Sequence, residues 1–204
     1  GISIGEDGPS QMALEDIAMF RALPNSVVFY PSDAISCSRL TELATRTKGI
    51  KYLRTTRSKI NVIYNNKEEF NIGEFKVLRK SGEDVVLVVG AGITLHEALK
   101  AYNELFRLNI KICIVDCYCI KPFNTSEFIN LARKCDGKVI VVEDHYLEGG
   151  ISEMISRELN GSNIEIKCLA VNQMPHSGKP EILMSAYGID SNHIVKAVKE
   201  IIGE

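Results

Sequence analysis

The stretch Ser26-Val27-Val28-Phe29-Tyr30-Pro31-Ser32-Asp33 predicts the architecture of the first part of the chain. Its apolar residues indicate a short buried strand, which the proline ends because proline cannot continue the hydrogen bonding of a sheet. The serine and the aspartate are suitable N-caps for a helix over residues 34–47. A second strand is predicted over residues 50–55. Strand, helix and strand with short connections indicate a parallel βαβ unit, in which the carboxyl ends of both strands lie at one edge of the sheet.

The preceding segment, Gly5-Glu6-Asp7-Gly8-Pro9-Ser10-Gln11, predicts a strand-to-helix corner. Residues 1–4 are interpreted as the end of a strand. A helix is expected from Pro9 through Phe20, because proline suits the first helical position and apolar residues recur there with a spacing of three and four. Asp7 then lies just ahead of a helix N-terminus. Chemistry in α/β proteins gathers at such corners, at the carboxyl ends of the strands.

Arg57 follows the strand over 50–55, so it is expected at the same sheet edge as Asp7. Thr55, Thr56 and Ser58 flank it with hydroxyl groups. Arginine makes planar, bidentate, charge-assisted hydrogen bonds to phosphates and carboxylates. The cluster therefore suits an anionic ligand, and a surface salt bridge is the simpler local interpretation.

The rest of the chain alternates strands and helices after a polar, irregular linker over residues 58–75. Near-continuous apolar strands of this kind form parallel sheets that are covered on both faces. The predicted fold is α/β, with two consecutive three-layer α/β/α units with mostly parallel sheets, the first one truncated at its N-terminus. Strands are expected over 75–80 at a sheet edge, 85–89, 112–119, 139–142 and 164–171, and helices over 94–107, 125–135, from 151, over 180–187 and over 191–202.

Composition excludes several classes of function. The formal net charge is −2 without blocks of like charge, which argues against a role that relies on bulk attraction to nucleic acid or to a membrane surface. The longest apolar runs have the length of strands, so no membrane span is predicted. The chain opens on Gly1 rather than on methionine, and we interpret it as a piece of a longer protein.

The chain has six cysteines, of which Cys113, Cys117 and Cys119 fall within the strand predicted over 112–119. Alternation along a strand would place all three on one face. No histidine or fourth cysteine has a recognisable metal-ligand spacing to them, so buried, reduced thiols are expected rather than a metal site. Reduced thiols fit an intracellular compartment.

Two glycine-containing motifs resemble phosphate-binding loops incompletely. Gly90-Ala91-Gly92 follows a predicted strand, and Asp116 lies where a ribose-binding acid would be expected, but the third glycine of a dinucleotide motif is replaced by Leu95. A tight turn between strand and helix is the alternative. Ser177-Gly178-Lys179 lacks the upstream glycine of a phosphate loop and is interpreted as a loop before a helix that begins at Pro180.

Glu143-Asp144-His145 ends a predicted strand ahead of two glycines. An acid and a histidine at the carboxyl edge of a sheet can be catalytic. A histidine that orders a loop or an interface is the commoner arrangement, and both interpretations stay open at this point.

The order of these motifs resembles that of the transketolase family in its animal-type form, over the whole chain. The resemblance implies that residues 1–72 form the C-terminal part of a pyrimidine-binding domain and residues 73–204 a C-terminal domain. It is carried by Gly5-Glu6-Asp7-Gly8-Pro9-Ser10-Gln11, Phe29-Tyr30-Pro31-Ser32-Asp33, Arg54-Thr55-Thr56-Arg57, Gly90-Ala91-Gly92-Ile93-Thr94-Leu95-His96-Glu97-Ala98, Val142-Glu143-Asp144-His145 and Ser177-Gly178-Lys179-Pro180.

The resemblance implies an enzyme that transfers a two-carbon ketol unit from a ketose phosphate to an aldose phosphate on thiamine diphosphate and Mg²⁺, in the pentose phosphate pathway. It further implies a cytoplasmic homodimer with active sites at the subunit interface. Asp7 would bind a sugar hydroxyl, Arg57 the sugar phosphate, and Gln11 would lie near cofactor and substrate, where microbial relatives carry histidine. No catalytic residue and no metal ligand is assigned within the chain.

The same resemblance implies that the segments holding Mg²⁺, the diphosphate and the activating glutamate precede residue 1, so the isolated chain is expected to be inactive. Two alternatives remain at this stage. One is a related thiamine enzyme, such as deoxyxylulose-phosphate synthase or the β subunit of a 2-oxo-acid dehydrogenase. The other is a non-catalytic dimerisation or regulatory module.

Overall fold

The computed structural model describes residues 1–204 as a mixed α/β chain with two sheets. A 3₁₀ segment over Ile2–Asp7 opens the chain. In chain order the other elements are α1 (Pro9–Met12), α2 (Asp16–Ala22), β1 (Val27–Phe29), α3 (Ala34–Arg46), β2 (Lys51–Leu53), β3 (Lys76–Arg79), β4 (Val86–Gly90), α4 (Ile93–Arg107), β5 (Ile112–Asp116), β6 (Cys119–Lys121), α5 (Thr125–Arg133), β7 (Lys138–Tyr146), α6 (Ile151–Glu158), β8 (Glu165–Val171), α7 (Pro180–Ala186) and α8 (Ser191–Ile202). No helix in the chain is both long enough and apolar enough to cross a bilayer.

The βαβ unit predicted from residues 26–55 is present. Strands β1 and β2 pair in parallel, and α3 connects them. Asp33 caps α3 as expected: its carboxylate accepts the backbone N–H of Ser36 at 2.7 Å. The third strand of this small sheet is β6, which comes from the downstream part of the chain and pairs antiparallel with β1. The two parts of the chain therefore share a sheet.

The larger sheet has the strand order β3-β5-β4-β7-β8. Strands β5, β4, β7 and β8 are parallel, and β3 pairs antiparallel with β5 at the edge, where the sequence predicted an edge strand. Alternate residues of β4 point to opposite faces: Val86 and Val88 pack with α4, α7 and α8, whereas Leu87 and Val89 pack with α5 and α6. This unit is a three-layer α/β/α arrangement, as predicted.

The first twenty residues differ from the expectation. Residues 1–4 do not form the end of a strand but enter the 3₁₀ segment, and the backbone N–H of Ile2 donates to the Asp144 carboxylate rather than to a neighbouring strand. The helix expected over 9–20 is broken into α1 and α2 at Ala13, which has a φ of +48°. Met12 and Leu14 are both buried in the same core. In a continuous helix they would be about 200° apart and could not share it.

The strand expected over 112–119 also divides into two. Strand β5 ends at Asp116, and Cys119 begins β6 in the other sheet. The expectation that three cysteines share one face is therefore wrong: Cys113 and Cys117 pack beneath α5 and α6, whereas Cys119 packs with Val27 and Phe29. All six cysteines are free thiols.

Residues 58–75 contain no helix or strand, in agreement with the prediction, but they are packed against the fold rather than loose. Tyr64 and Phe70 are buried in edge-to-face contact, with ring centroids 5.0 Å apart. The Tyr64 hydroxyl donates to Asp116 at 2.6 Å, and the Ser32 hydroxyl donates to the other oxygen of the same carboxylate at 2.8 Å. The segment thus ties the end of β5 to the turn after β1.

Gly90-Ala91-Gly92 forms the tight turn between β4 and α4, and it lies against Tyr30. A side chain at Gly92, which has a φ of +54°, would place its Cβ 2.1 Å from the Tyr30 ring. Asp116 is fully buried, and burial raises its pKa to about 7. Both of its oxygens accept hydrogen bonds from the chain, so the dinucleotide interpretation is not supported: the turn fits the aromatic ring of the preceding unit.

Gly92→Ala should therefore be among the most destabilising glycine substitutions in the chain. We expect a loss of at least ~3 kcal/mol in the free energy of unfolding, because the added methyl group must displace a buried aromatic ring in addition to the strain of a positive φ. Gly137→Ala is the control, since Gly137 has a φ of +65° and its Cβ would come no nearer than 3.9 Å to other atoms. That variant should lose only about 1–2 kcal/mol in urea unfolding. Equal losses would contradict the role of Gly92 in this contact.

Candidate active site

The 3₁₀ segment and α1 form a corner around Asp7. Gly5 and Gly8 flank the Glu6-Asp7 pair, and both have a positive φ, of +53° and +84°. The N–H of Gly8 donates to the carbonyl of Gly5 at 3.2 Å, which closes a tight turn. Other side chains disfavour these backbone conformations, so the two glycines allow the turn that points the Asp7 carboxylate outward.

Arg57 lies directly beside Asp7. One guanidinium nitrogen of Arg57 donates to the Asp7 carboxylate, and the two side chains are 65% and 41% exposed. The neighbouring Ser58 hydroxyl donates to the carbonyl of Ser3 at 3.1 Å, which fixes the segment after β2 against the 3₁₀ segment. The structure thus brings together the two residues that were predicted to lie close to each other, although Asp7 is carried by the 3₁₀ segment and not by a strand of the sheet.

The Asp7–Arg57 pair is weak enough to be replaced by a ligand. An exposed ion pair contributes roughly 0–1 kcal/mol, because water screens the attraction and two side chains lose conformational freedom. A phosphate beside Arg57 and a hydroxyl donating to Asp7 would each replace one half of the pair. The surface salt bridge expected for Arg57 is present, and it is compatible with anion binding.

Gln11 lies on α1, one turn after Asp7, and is exposed. Its side-chain amide makes no hydrogen bond within the chain, so both its donor and its acceptor groups are available to a ligand. Gln11 therefore lies on the same surface segment as Asp7, and the side-chain hydrogen bond of Asp7 is to Arg57.

The side chains that most often bind metals are not clustered in this chain. No group of three or more histidine, cysteine, aspartate or glutamate side chains is arranged to hold a metal. The chemistry of the corner, with one carboxylate, one guanidinium and one amide, fits the polar groups of an organic ligand instead.

A buried charged cluster lies behind the exposed corner, and the sequence did not reveal it. Arg54 is 3% exposed; its Nε lies 2.9 Å from the Asp16 carboxylate and its Nη1 donates to the carbonyl of Asp144 at 2.7 Å. The Tyr52 hydroxyl also donates to Asp16, at 2.6 Å, and the guanidinium lies 4.8 Å from the centroid of the Tyr30 ring. The two arginines of Arg54-Thr55-Thr56-Arg57 are three residues apart at the end of β2, so the sequence could have indicated that one points into the protein and the other to solvent.

Glu143-Asp144-His145 belongs to this buried cluster and not to a surface cleft. Glu143 caps α6: its carboxylate accepts the N–H groups of Ile151 at 2.6 Å and Ser152 at 2.9 Å. Burial raises the pKa of Glu143 to about 7. Of the two interpretations left open for the motif, the ordering of an interface is the one the geometry supports.

His145 is fully buried and held neutral. Its Nδ1 lies 2.6 Å from the carbonyl of Tyr146, so this nitrogen carries the proton, and its Nε2 lies 3.7 Å from the Asp16 carboxylate without a hydrogen bond. Burial lowers the pKa of His145 from 6.5 to about 4. A histidine this deeply enclosed cannot reach a substrate.

His145 should make the chain less stable as the pH falls from about 6.5 to 4. In that window the unfolded histidine binds a proton that the folded one excludes, so the free energy of unfolding decreases with falling pH, by up to about 1.4 kcal/mol per pH unit. The advantage of the wild type over His145→Gln should therefore shrink across this window. Urea unfolding of both chains at several pH values measures the difference.

Glu143→Gln provides the control of opposite sign. Glu143 has a raised pKa in the folded state, so its contribution to stability is lost as the pH rises from about 4.5 towards 7. The difference between the wild type and Glu143→Gln should thus change with pH in the direction opposite to that for His145→Gln. Parallel curves for the two variants would contradict the assignment of both groups.

Comparison with known proteins identifies the family of the whole chain. The family model "Transketolase, pyrimidine binding domain" matches residues 1–62, and the model "Transketolase, C-terminal domain" matches residues 73–194. Transketolase from Homo sapiens is 50% identical over 203 residues, which are 99% of this chain and 33% of that protein. Transketolase-like protein 2 from Mus musculus is also 50% identical, over 99% of this chain and 32% of that protein.

Solved structures show the same fold. A structure described as a split-gene transketolase, inactive beta4 tetramer, superimposes with a TM-score of 0.86 and 30% sequence identity, over 94% of this chain and 62% of that chain. Transketolase from Campylobacter jejuni superimposes with a TM-score of 0.79 over the whole chain and 30% of that chain. At 21% identity the second likeness concerns the fold alone.

The chain spans about a third of the length of the curated relatives that it matches. The two family models follow one another along the chain in the order found from its motifs, and together they cover every strand of both sheets, whereas residues 63–72 of the irregular segment lie between them. The chain therefore belongs to the transketolase family, of which it contains pyrimidine-binding and C-terminal domain sequences.

Proposed function

We propose that this chain supplies the substrate-binding corner of a transketolase, which transfers a two-carbon ketol unit from a ketose phosphate to an aldose phosphate. The observation that carries the proposal is the exposed Asp7–Arg57 pair, formed by residues fifty positions apart within a chain that is 50% identical to transketolase from Homo sapiens. A related thiamine enzyme and a non-catalytic module are less well supported, because the transketolase matches extend over the whole chain.

Arg57 is proposed to bind the phosphate of the sugar. Two phosphate oxygens can take the place of the Asp7 carboxylate and accept hydrogen bonds from the guanidinium in a bidentate arrangement. The phosphate is remote from the reacting carbons, so this interaction is equal in the ground state and the transition state and serves to hold the substrate in register. Thr55, Thr56 and Ser58 offer additional hydroxyl groups next to it.

Asp7 is proposed to accept a hydrogen bond from a sugar hydroxyl near the reacting carbons. A carboxylate on a tight glycine-flanked turn has few conformations, so it selects one stereochemistry at the carbon that bears the hydroxyl. When Arg57 turns to the phosphate, the Asp7 oxygen that it leaves is free for this contact. The same pair thus recognises both ends of a sugar phosphate.

Gln11 is proposed to lie near the cofactor, which we infer to be thiamine diphosphate. When bound, the thiazolium ring of that cofactor supplies the stabilisation of the carbanion that ketol transfer requires. The amide of Gln11 can donate and accept hydrogen bonds but cannot exchange a proton near neutral pH, unlike the histidine of the microbial relatives. Its role in this chain is therefore orientation. Mg²⁺ and the diphosphate are proposed to bind a part of the protein outside these residues.

We also propose a boundary between the two domains at residues 72 and 73, and a cytoplasmic homodimer in which two copies complete each active site. The boundary falls within the irregular segment over residues 58–75. The exposure of Asp7, Arg57 and Gln11 supports a site that a second surface covers.

Arg57→Ala in the full-length protein should raise KM for phosphorylated sugars far more than for unphosphorylated ones. We expect a loss of about 1.5–3 kcal/mol in binding, or roughly 10- to 150-fold in kcat/KM, for xylulose 5-phosphate with ribose 5-phosphate as acceptor. The ion pair with Asp7 is lost as well, but its small contribution predicts little change in thermal stability.

Arg46→Ala is the matched control for this experiment, because Arg46 also forms an exposed ion pair, with Glu42 on α3. It should leave both KM values within about twofold of the wild type. Equal effects of Arg57→Ala on phosphorylated and unphosphorylated sugars would remove the phosphate role of Arg57.

The isolated 204-residue chain should not catalyse ketol transfer, even with thiamine diphosphate and Mg²⁺ added. The chain offers no metal-ligand group, and the split-gene relative with 30% identity is described as inactive in the tetramer of its β chain. A coupled assay for the triose phosphate product with the purified chain measures this. Turnover above the uncatalysed rate would contradict the proposed division of the active site.

A further inference from the structure

A loop near the end of the chain lies against the Asp7 corner. We call residues His176–Pro180 the bracing loop. The N–H of Gly178 donates to the carbonyl of Gly5 at 3.3 Å, the same carbonyl that accepts the N–H of Gly8. The segment that carries Asp7 is thus hydrogen-bonded to a segment more than 170 residues away in sequence.

The contact between loop and corner leaves no room for side chains. A Cβ at Gly5 would lie 2.6 Å from the carbonyl oxygen of Gly178 and 2.9 Å from the Pro180 ring. A Cβ at Gly8 would lie 2.6 Å from the Ser177 hydroxyl. Both glycines that flank Asp7 therefore meet the bracing loop at close range, one on each side of the carboxylate.

The bracing loop is itself fixed by α7. Pro180 is the first residue of that helix, and Tyr187, directly after its end, is buried. The Tyr187 hydroxyl accepts the backbone N–H of His176 at 3.3 Å and lies 3.1 Å from Nδ1 of the same residue. Below the loop, Leu183 and Met184 share the core with Ile2 and Met12. Motion of the loop would therefore have to break contacts at both of its ends.

Arg57 is supported differently. It belongs to the segment that follows β2, and its hydrogen bond is to Asp7. The segment of Arg57 is attached to the small sheet by the N–H of Arg54, which donates to the carbonyl of Phe29 at 2.9 Å, and it meets the 3₁₀ segment through the Ser58–Ser3 bond and the Asp7 pair, but it has no hydrogen bond to the bracing loop. Loosening the bracing loop therefore acts first on the Asp7 end of the proposed substrate site, whereas removal of the Arg57 side chain acts on the other end.

We propose that the bracing loop of the C-terminal unit is a positioning element for Asp7, an inference that rests on the proposed contact of Asp7 with a sugar hydroxyl. Pro180 and Tyr187 are its positioning residues: the first packs against Gly5, and the second ties down the start of the loop. Neither touches the substrate. Together they hold the turn over residues 5–8 in the conformation that aims the carboxylate.

The test uses Tyr187→Phe and the double variant Tyr187→Phe/Pro180→Ala in the full-length protein. We expect kcat/KM to fall about fivefold in the single and about tenfold or more in the double variant, because small displacements of an aligned group are costly. The loss should be the same for phosphorylated and unphosphorylated ketoses, whereas Arg57→Ala changes their ratio. Amide hydrogen exchange within residues 4–8 should become at least about fivefold faster in both variants.

Tyr102→Phe is the matched control, since Tyr102 lies on α4 and its hydroxyl makes no hydrogen bond within the chain. It should leave exchange and kcat/KM unchanged. Wild-type exchange over residues 4–8 in the double variant, or a loss of activity confined to phosphorylated ketoses, would overturn the inference. If the double variant does not fold, the nearly isosteric Tyr187→Phe decides the question alone.

The two proposals fail in different ways. A full-length protein without ketol transfer, or an Arg57→Ala variant with an unchanged ratio between phosphorylated and unphosphorylated ketoses, would overturn the proposed function. In that case hydrogen exchange over residues 4–8, which needs no substrate, still shows whether the bracing loop holds the Asp7 corner.

Discussion

The joint between the two parts of the chain depends on one buried cation. Arg54 follows β2, pairs with Asp16 on α2, and donates to the carbonyl of Asp144 in β7. Removal of the Asp16 carboxylate would reduce the free energy of unfolding by several kcal/mol, because the Arg54 guanidinium would stay buried without its counter-charge and without water. Arg54 therefore links the small sheet and α2 to the large sheet. Strand β6 adds a second link, since the downstream part of the chain contributes it to the upstream sheet.

Several motifs that suggest chemistry form contacts within the fold instead. Tyr30 lies against Gly92 in the turn after β4, and Ser32 bonds Asp116 at the end of β5, so both contacts join the two parts of the chain. Glu143 caps α6 within the second unit. Buried hydrogen bonds such as that between Ser32 and Asp116 favour one relative arrangement of their elements, because a shift would leave buried polar groups unpaired. The motifs thus hold the units in register, and few of their side chains face solvent.

The regular elements were predictable because they depend on local patterns. Apolar runs, the Asp33 cap and Pro180 at a helix start located strands and helices of both units within a few residues. The break at Ala13 was not predictable, since it arises from the burial of Met12 and Leu14 in one core, which is a tertiary constraint. The end of β5 at Asp116 has a similar cause: the following residues leave the large sheet to pair with β1. For the site, the proximity of Asp7 and Arg57 was predicted, but the strand expected before Asp7 is a 3₁₀ segment, and nothing local distinguished the exposed Arg57 from the buried Arg54.

The exposure of the site residues sets a condition on how they can work. In water an arginine gains little from a phosphate, because the solvent and its ions screen the attraction, whereas the same pair is strong once water is excluded. Asp7 and Arg57 are 41% and 65% exposed, so neither is desolvated by this chain. The chain does hold both groups in defined positions. The bracing loop is hydrogen-bonded to the turn flanked by Gly5 and Gly8, and the residues before Arg57 are hydrogen-bonded to the small sheet. A surface that covers this corner would supply the missing desolvation, and it would meet groups that are already in place. Under the proposed function, strong recognition of a sugar phosphate therefore requires both the corner and its cover.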